Sequence, residues 1–116
     1  MFAVTAFAIS VQAKDTIKVG VITDRVGNSA AWAKPIEVGM ELALEEINAG
    51  GGVLGKKVEL HYESDQSKPN ISATKARKLI DAGVVAILSI SNSPSTQQAQ
   101  SVTAAAKMVH MTPANS

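Results

Sequence analysis

Residues 47–60, INAGGGVLGKKVEL, contain the end of a helix, a glycine turn and the start of a strand. The three consecutive glycines follow Ala49, and glycine readily takes the left-handed backbone conformation that closes a helix. Residues 57–63 then alternate apolar and polar side chains, which is the pattern of a strand with one buried face. The apolar members of that face are Val58, Leu60 and Tyr62. A helix joined to a strand by a short glycine turn is typical of an α/β protein.

A helix and a first strand are predicted before this turn. Apolar residues recur every three or four positions over residues 31–48, which predicts a helix. Pro35 fits an α-helix only in its first turn, so the regular part is expected to begin there. Gly39 lowers the helix propensity by about 1 kcal/mol relative to alanine, which indicates close packing of the helix on a strand at this position. Residues 16–23, TIKVGVIT, form the short β-branched run of a buried strand.

The chain after the turn repeats this alternation. We predict a second helix over residues 69–82, and a third strand over residues 84–90 that is almost continuously apolar and therefore central. A third helix begins at residue 94 or 95 and ends near 107, and a fourth strand covers residues 108–112. The order β-α-β-α-β-α-β predicts an α/β fold with a three-layer, Rossmann-like parallel sheet and right-handed crossovers. Because a complete sheet of this kind has about five or six strands, these elements are expected to be part of a larger domain.

The first thirteen residues differ in composition from the rest. Residues 1–13 contain none of the 11 basic and 10 acidic residues of the chain. They end in small side chains ahead of a charged pair, as at a signal peptidase site. We interpret residues 1–13 as the remnant of a signal peptide and residues 14–116 as the mature chain. A buried first strand or helix is the alternative, and the stretch is shorter than the ~20 residues that span a bilayer.

Composition and missing motifs exclude several classes of function. The 116 residues include no cysteine, which excludes a disulfide framework, a thiolate zinc site and a cysteine nucleophile. For the same reason we expect no lipid anchor. The formal net charge of +1 does not indicate a nucleic-acid partner. The loop 24–28 has one glycine where a dinucleotide fingerprint needs three, and neither a P-loop nor a nucleophile elbow occurs. His61 and His110 lack metal-ligand spacing and are predicted to be structural. We therefore expect no catalytic residue, no cofactor and no metal.

Ligands of open α/β sheets bind beyond the carboxyl ends of the strands. Three predicted loops lie there, at residues 24–32, 91–96 and 113–116. The loop 91–96 is rich in hydroxyl and amide side chains and leads into the third helix. Ser93 can cap this helix with Pro94 at its first position. Alternatively, Ser95 caps it and Gln98 completes a capping box. In both cases free N–H groups and the positive end of the helix dipole face the crevice, which predicts a site for a carboxylate or another anion; a purely capping role is the alternative.

These segments give the sequence a family resemblance. From residue 17 to 116 it resembles the leucine/isoleucine/valine-type solute-binding proteins of ABC transporters, which have the type I periplasmic-binding fold. The resemblance rests on IKVGVIT, GMELALEEINAGGGVLGKKVEL, YESDQSKP, KARKLIDAGVVAILS, SNSPSTQQA and VHMTPANS. It implies a periplasmic, non-catalytic receptor whose first lobe begins with residues 14–116. Two lobes would trap a small molecule, commonly a branched-chain amino acid, for delivery to an ABC transporter permease in the membrane. The full-length protein is expected to be a monomer.

The resemblance also implies a set of ligand-binding residues. Trp32 lies where relatives often place an aromatic ring against the ligand. Ser93 matches a hydroxyl position that binds the ligand carboxylate. Its neighbours in the same loop are Asn92, Ser95 and Thr96. Ala114 matches a residue that contributes backbone contacts, and Ser116 matches a hydroxyl that meets the carboxylate or the ammonium end. The loop 24–27 departs from the small Gly/Pro-containing loop of the family, so amides, urea-like solutes and aromatic acids are further candidate ligands.

Two other functions are compatible with this order of elements. One is a sensory ligand-binding domain of the same fold in a signalling or regulatory protein, although the predicted leader argues against a cytoplasmic regulator. The other is a small flavodoxin- or receiver-type enzyme, for which Asp24 and Asp65 offer acidic groups near strand ends. The third strand ends in Ser89, Ile90 and Ser91, without the phosphoacceptor aspartate that a receiver needs.

Overall fold

The computed structural model describes residues 16–113 of the chain. Four strands and three helices alternate in the predicted order within this part. They are β1 (Ile17–Thr23), α1 (Ala30–Ala49), β2 (Val58–Ser64), α2 (Pro69–Asp81), β3 (Ala86–Ile90), α3 (Ser93–Ala105) and β4 (Val109–Met111). The predicted α/β class is confirmed. The leader predicted at residues 1–13 and the ligand contacts predicted at Ala114 and Ser116 lie outside the described residues.

The strands form one parallel sheet in the order β2-β1-β3-β4. β1 pairs with β2 on one side and with β3 on the other, so that Val21 lies opposite both Tyr62 and Leu88. β1 and β3 are thus the central strands, as the apolar run of β3 predicts. The chain moves outward from β1 to β2 and then crosses back past β1 to β3. This reversal of direction places a crevice at the carboxyl ends of β1 and β3, where open α/β sheets bind ligands.

Two apolar clusters, one on each face of the sheet, make the structure three layers thick. On one face, Ile22 and Ile87 pack with Leu79 of α2 and Ala99 of α3. On the other face, Val21 of β1 and Ile90 of β3 pack with Ala33 of α1. Around this second cluster lie Ile36, Met40, Leu60 and Tyr62. The face of β2 predicted from its alternating pattern is therefore the one that packs under α1.

The glycine turn after α1 folds as predicted. Gly51 has a φ of +101° and closes the helix in the left-handed region. Gly52 has a φ of +78°, and a side chain there would collide with the carbonyl oxygen of Lys56. Asn48 then fastens the helix to the next strand. Its side chain donates to the carbonyl of Val58 at 2.9 Å and accepts from the N–H of Val58 at 2.8 Å. These contacts bring the chain from α1 directly to the edge of the sheet.

The regular part of the first helix was predicted to begin at Pro35, and this prediction is wrong. α1 begins at Ala30, so Pro35 lies in the second turn. The helix starts earlier because the N–H of Ala33 donates to the carbonyl of Ser29 at 3.0 Å. Pro35 cannot donate to the carbonyl of Ala31, but both residues are exposed, and water can satisfy that carbonyl.

The close packing predicted at Gly39 is also wrong. Gly39 is exposed, and a Cβ atom added there would meet nothing within 4 Å. The face of α1 that packs on the sheet carries Ala33, Ile36 and Met40 instead. Gly39 therefore weakens the helix without a packing role among residues 16–113.

β4 lies at the edge of the described sheet. It has three residues and pairs with β3 in parallel, with Val109 opposite Ala86 and Met111 opposite Leu88. Val109 is 60% exposed and Met111 is 61% exposed. None of the three helices in the described part of the chain is both long enough and apolar enough to cross a bilayer.

Candidate functional site

Three buried polar residues stand directly after the three strands that meet at the crevice. Asp24 follows β1, Asp65 follows β2 and Ser91 follows β3. Asp24 is 1% exposed, and the other two are fully buried. The register places them close together, since the last residue of β1 lies opposite the last residues of β2 and β3. Buried polar groups cost free energy unless they are hydrogen-bonded, so their partners define the site.

Asp24 organises the loop between β1 and α1. Its Oδ1 accepts from the N–H of Val26 at 3.1 Å and from the N–H of Gly27 at 2.6 Å. Its Oδ2 accepts from the N–H of Ser29 at 2.8 Å and from the hydroxyl of Ser67. Burial acts to raise the pKa of Asp24, but these hydrogen bonds outweigh it and hold the pKa below its usual value. Asp24 is therefore a carboxylate that ties the start of α1 to the loop after β2.

Asp65 joins the loop after β2 to the loop after β3. Its Oδ1 accepts from the hydroxyl of Ser91 at 3.0 Å and from the N–H of Ser67 at 3.0 Å. Its Oδ2 is buried and makes no hydrogen bond of good geometry among residues 16–113, although the nearby side chain of Ser72 acts to lower the pKa of the same carboxyl group. Burial raises the pKa of Asp65 above its usual value despite these hydrogen bonds, and the charge of Asp24 adds to the rise. The two neighbouring carboxyl groups are thus shifted in opposite directions.

Asn92 caps α3, and both capping arrangements predicted from the sequence are wrong. Its Oδ1 accepts from the N–H of Ser95 at 2.9 Å, and its Nδ2 donates to the carbonyl of Ser67 at 3.0 Å. An amide side chain makes both bonds at once because it carries a separate acceptor and donor. Ser93 is instead the first residue of α3, and Ser95 lies within its first turn.

The first turn of α3 carries two buried hydroxyl groups without hydrogen-bond partners. Ser95 is fully buried and Thr96 is 5% exposed, and neither hydroxyl oxygen has a partner in the described part of the chain. Leaving a buried hydroxyl unpaired costs on the order of 1–3 kcal/mol. The backbone offers fewer donors than the motif predicts, since Pro94 has no N–H and the N–H of Ser95 is bound by Asn92. Both residues lie on the buried face of α3 together with Ala99, so what this turn offers an anion in the crevice is the positive end of the helix dipole.

Trp32 and Ser93 stand at the starts of the two helices that follow the central strands. Trp32 lies in the first turn of α1 and is 38% exposed. Ser93 opens α3 and is half-buried. Since α1 follows β1 and α3 follows β3, both side chains lie at the carboxyl edge of the sheet, where a ligand of this fold is expected. The structure thus places Trp32, Asn92, Ser93, Ser95 and Thr96 at one edge of the sheet.

A separate polar cleft of about 270 Å³ opens next to α1. It is lined by Asp24, Arg25, Ala30, Lys34 and Glu37. Arg25 pairs with Glu37 at 3.2 Å, and its guanidinium carbon lies 4.9 Å from the ring centroid of Tyr62. Arg25 is thereby held towards β2 and α1. None of the predicted ligand residues within 16–113 lines this cleft.

Ser67 was not predicted from the sequence, and it bonds to residues of all three strand-end loops. Its N–H donates to Asp65, its hydroxyl donates to Asp24, and its carbonyl accepts from Asn92. Ser67 has a φ of +58° and the preceding Gln66 has a φ of +56°, a region that residues other than glycine rarely adopt. The aspartates directly after β1 and β2 were the available sequence signal, because a buried carboxylate at a strand end needs several donors around it.

Both histidines bond to neighbouring side chains. Nδ1 of His110 lies 2.9 Å from Oγ1 of Thr103, and its Nε2 lies 2.7 Å from Oγ of Ser89. Burial lowers the pKa of His110 below its usual value. Nε2 of His61 lies 3.1 Å from Oε2 of Glu59. Within residues 16–113, no three histidine, aspartate or glutamate side chains are grouped so that they could hold a metal ion.

The fold and the site together define a class of protein. A doubly wound parallel sheet with buried polar loops at its carboxyl edge is an architecture that binds small molecules at that edge. The chain belongs to the periplasmic binding protein family, which it matches over residues 16–116.

A curated relative supports this membership. The Leu/Ile/Val-binding protein BraC3 of Rhizobium johnstonii is 32% identical over 81 residues. The match covers 70% of this chain and 22% of the relative. The chain therefore spans less than a quarter of the length of that protein.

Two solved structures are similar to this chain and contain different ligands. One is the substrate-binding protein of a branched-chain amino acid transporter from Streptococcus pneumoniae, in complex with isoleucine. Its TM-score is 0.81 at 29% identity, over 86% of this chain and 29% of that one. The other is a solute-binding protein of an ABC transporter from Rhodopseudomonas palustris, in complex with 3,4-dihydroxybenzoic acid. Its TM-score is 0.77 at 28% identity, over 85% of this chain and 27% of that one.

Proposed function

We propose that the chain is part of a solute-binding protein of an ABC transporter and that it binds a small carboxylate-bearing solute. A branched-chain amino acid is the leading candidate. Residues 14–116 would form the N-terminal part of the first lobe, and a second lobe would close over the ligand by a hinge motion. The observation that supports this most directly is the position of the first turn of α3, which carries the half-buried Ser93, at the carboxyl edge of the sheet.

A carboxylate fits this position for two physical reasons. The N-terminus of a helix of 13 residues carries the positive end of the helix dipole, which stabilises an anion. A carboxylate also accepts hydrogen bonds without needing to donate any, which suits a turn rich in hydroxyl side chains. Isoleucine and 3,4-dihydroxybenzoic acid, the ligands of the two similar structures, differ in shape but share a carboxyl group. That shared group is what we assign to the first turn of α3.

The other proposed ligand residues have distinct roles. Ser93 supplies a further hydroxyl to the carboxylate, and Asn92 holds the turn in place through its cap. Trp32 forms an apolar wall for the side chain of the ligand, which suits a half-exposed aromatic ring. Ala114 is proposed to contribute backbone contacts and Ser116 a hydroxyl to the carboxylate or the ammonium group. No catalytic step is part of this proposal.

The location of the protein follows from the same proposal. Residues 1–13 would be removed as part of a signal peptide, and the mature protein would act in the periplasm as a monomer that delivers its ligand to a membrane permease. N-terminal sequencing of the mature protein tests this directly. We expect the first residue to be Lys14, and retention of residues 1–13 would contradict it.

Titration calorimetry with the full-length protein tests the ligand class. The probes are leucine, isoleucine, valine, 3,4-dihydroxybenzoate and leucinamide, which replaces the carboxylate of leucine by an amide. We expect a saturable heat with at least one of the carboxylates, and binding of leucinamide at least about 100-fold weaker than leucine if leucine is bound. Equal affinity for leucine and leucinamide would remove the carboxylate from the proposal. Binding of 3,4-dihydroxybenzoate alone would replace the amino acid by an aromatic acid.

A further inference from the structure

We propose that Ser67 is a positioning residue that joins the three strand-end loops into one unit and so sets the geometry of the ligand site at α3. Ser67 follows β2, the edge strand, and is not among the proposed ligand contacts. The proposal rests on the function proposed above. It assigns to the loop after β2 a role in ligand affinity that the sequence pattern does not indicate.

The hydroxyl and the carbonyl of Ser67 each bond to a different neighbouring loop, and its N–H bonds within its own loop. Its hydroxyl donates to Asp24 and lies 3.2 Å from the N–H and the hydroxyl of Ser29, which precedes α1. Its N–H donates to Asp65 at 3.0 Å. Its carbonyl accepts from Asn92, the cap of α3, at 3.0 Å. Ser67 therefore lies between the start of α1, which carries Trp32, and the start of α3.

The backbone conformation of this loop depends on the same contacts. Gln66 and Ser67 both have positive φ values, and two consecutive non-glycine residues in this region need surrounding contacts to hold them there. Gln66 is exposed, and Ser67 is the residue of the pair that is half-buried and bonded. The conformation turns the carbonyl of Ser67 towards Asn92 while its hydroxyl meets Asp24. Strain of this kind at a loop tip is typical of sites whose geometry is prearranged.

The link from Ser67 to the ligand residues is short. The amide group of Asn92 is held at one end by the carbonyl of Ser67 and caps the N–H of Ser95 at the other. A shift of the loop after β2 therefore moves the cap, and with it the hydroxyls of Ser95 and Thr96. Binding sites lose affinity when the residues that support the ligand contacts are free to move.

The test uses Ser67→Gly in the full-length protein. Glycine adopts a positive φ freely and keeps the N–H and the carbonyl, so this variant removes the hydroxyl and little else. We expect ligand affinity to fall on the order of two- to thirtyfold by calorimetry. We also expect faster amide hydrogen exchange at Ser95 in the ligand-free protein. The matched control is Ser101→Ala, because the exposed Ser101 hydroxyl donates to the carbonyl of Gln97 in the same helix and to no other loop among residues 16–113.

The two measurements separate the possible outcomes. Weaker binding and faster exchange at Ser95 in Ser67→Gly, with neither change in Ser101→Ala, would support the positioning role. If the parent protein binds ligand and Ser67→Gly binds it with unchanged affinity, the positioning role is overturned. If the parent protein binds no ligand, the proposed function fails, and the exchange rates decide alone. Faster exchange at Ser95 then supports the link between the loops, and an unchanged rate overturns it.

Discussion

Two buried polar clusters on the same sheet differ in how completely their hydrogen bonds are made. The histidine cluster consists of Ser89, Thr103 and His110. The strand-end cluster consists of Asp24, Asp65, Ser67, Asn92, Ser95 and Thr96. Three of the four unpartnered buried side-chain atoms in the described chain belong to the strand-end cluster, and none belongs to the histidine cluster. The remaining one is the hydroxyl of Ser72 on α2.

Each polar side-chain group of the histidine cluster has a hydrogen-bond partner. The hydroxyl of Thr103 donates to the carbonyl of Gln100 at 3.1 Å, so it must accept from the Nδ1–H of His110. Nε2 of His110 then accepts from the hydroxyl of Ser89. This order assigns the neutral Nδ1–H tautomer, which agrees with a pKa lowered by burial. We call a network closed when all of its polar groups are hydrogen-bonded and open when some are not. A closed network stabilises the fold, whereas the unpaired groups of an open network remain for a ligand and lower the stability. Three predictions test this contrast.

The largest effect is expected from removing the centre of the closed network. His110→Ala leaves the buried hydroxyls of Ser89 and Thr103 without their shared partner and opens a cavity between α3 and β4. We expect the free energy of unfolding to fall by about 2–3 kcal/mol, measured by urea denaturation of the full-length protein. His61→Ala is the control, because His61 is more exposed and pairs with an exposed glutamate; its stability should stay close to that of the parent. Equal effects of the two variants would contradict the assignment.

The second prediction applies one substitution to two buried threonines of the same helix. Thr103→Val breaks the closed network and should lower the free energy of unfolding by about 1–2 kcal/mol, with ligand affinity unchanged. Thr96→Val removes a hydroxyl that has no partner, so the ligand-free protein should keep its stability or gain up to about 1 kcal/mol. Ligand affinity should fall about tenfold in Thr96→Val. A loss of stability in Thr96→Val without a loss of affinity would show that this hydroxyl belongs to the fold and not to the site.

The smallest effect is a pH dependence of opposite sign at His110 and at Asp65, one residue from each cluster. The pKa of His110 is lowered in the folded state, so the unfolded chain binds its proton more readily. The contribution of His110 is complete above about pH 6.5, the usual histidine pKa, and is lost as the pH falls below it. The pKa of Asp65 is raised, so its contribution is present below about pH 3.9 and is lost as the pH rises through the folded pKa.

Difference curves isolate these two contributions. Stability measured against pH for His110→Gln, subtracted from that of the parent, should rise with pH below about 6.5 and then level off. The same subtraction for Asp65→Asn should fall with pH from about 3.9 upwards. Two difference curves with the same sign would show that one of the two pKa directions is wrong.

Most of the fold was predictable because its signals are local. The apolar spacing in α1 and the continuous apolar run of β3 depend on the residues of each segment alone, and so does the glycine turn. Pro35 misled because the helix start is set by Ser29, whose carbonyl accepts from Ala33 and whose own N–H is held by Asp24. The prediction at Gly39 is wrong because a glycine in a helix indicates close packing only where another segment approaches the helix. The sequence of the helix alone does not show whether a segment approaches.

The location of the candidate site could be predicted from the sequence, but its hydrogen bonds could not. The loop after β3 was identified because hydroxyl and amide residues follow a central strand. The choice of Asn92 over Ser93 and Ser95 as the cap was not predictable, since asparagine and serine both cap helices well. The choice depends on the carbonyl of Ser67, a residue 25 positions earlier in the chain. Ser67 itself was missed because its role comes from a backbone conformation and from contacts with three separate loops.

The exposed side of β4 determines how small a piece of this protein can be handled in solution. The strand pairs with β3 alone among residues 16–113, and Val109 and Met111 are mostly exposed on it. A strand edge with free N–H and C=O groups and apolar side chains is a template for pairing between copies. Concentrated protein cut shortly after this strand would therefore associate edge to edge, and aggregation would compete with ligand binding. Measurements of affinity and stability belong on the full-length chain for this reason.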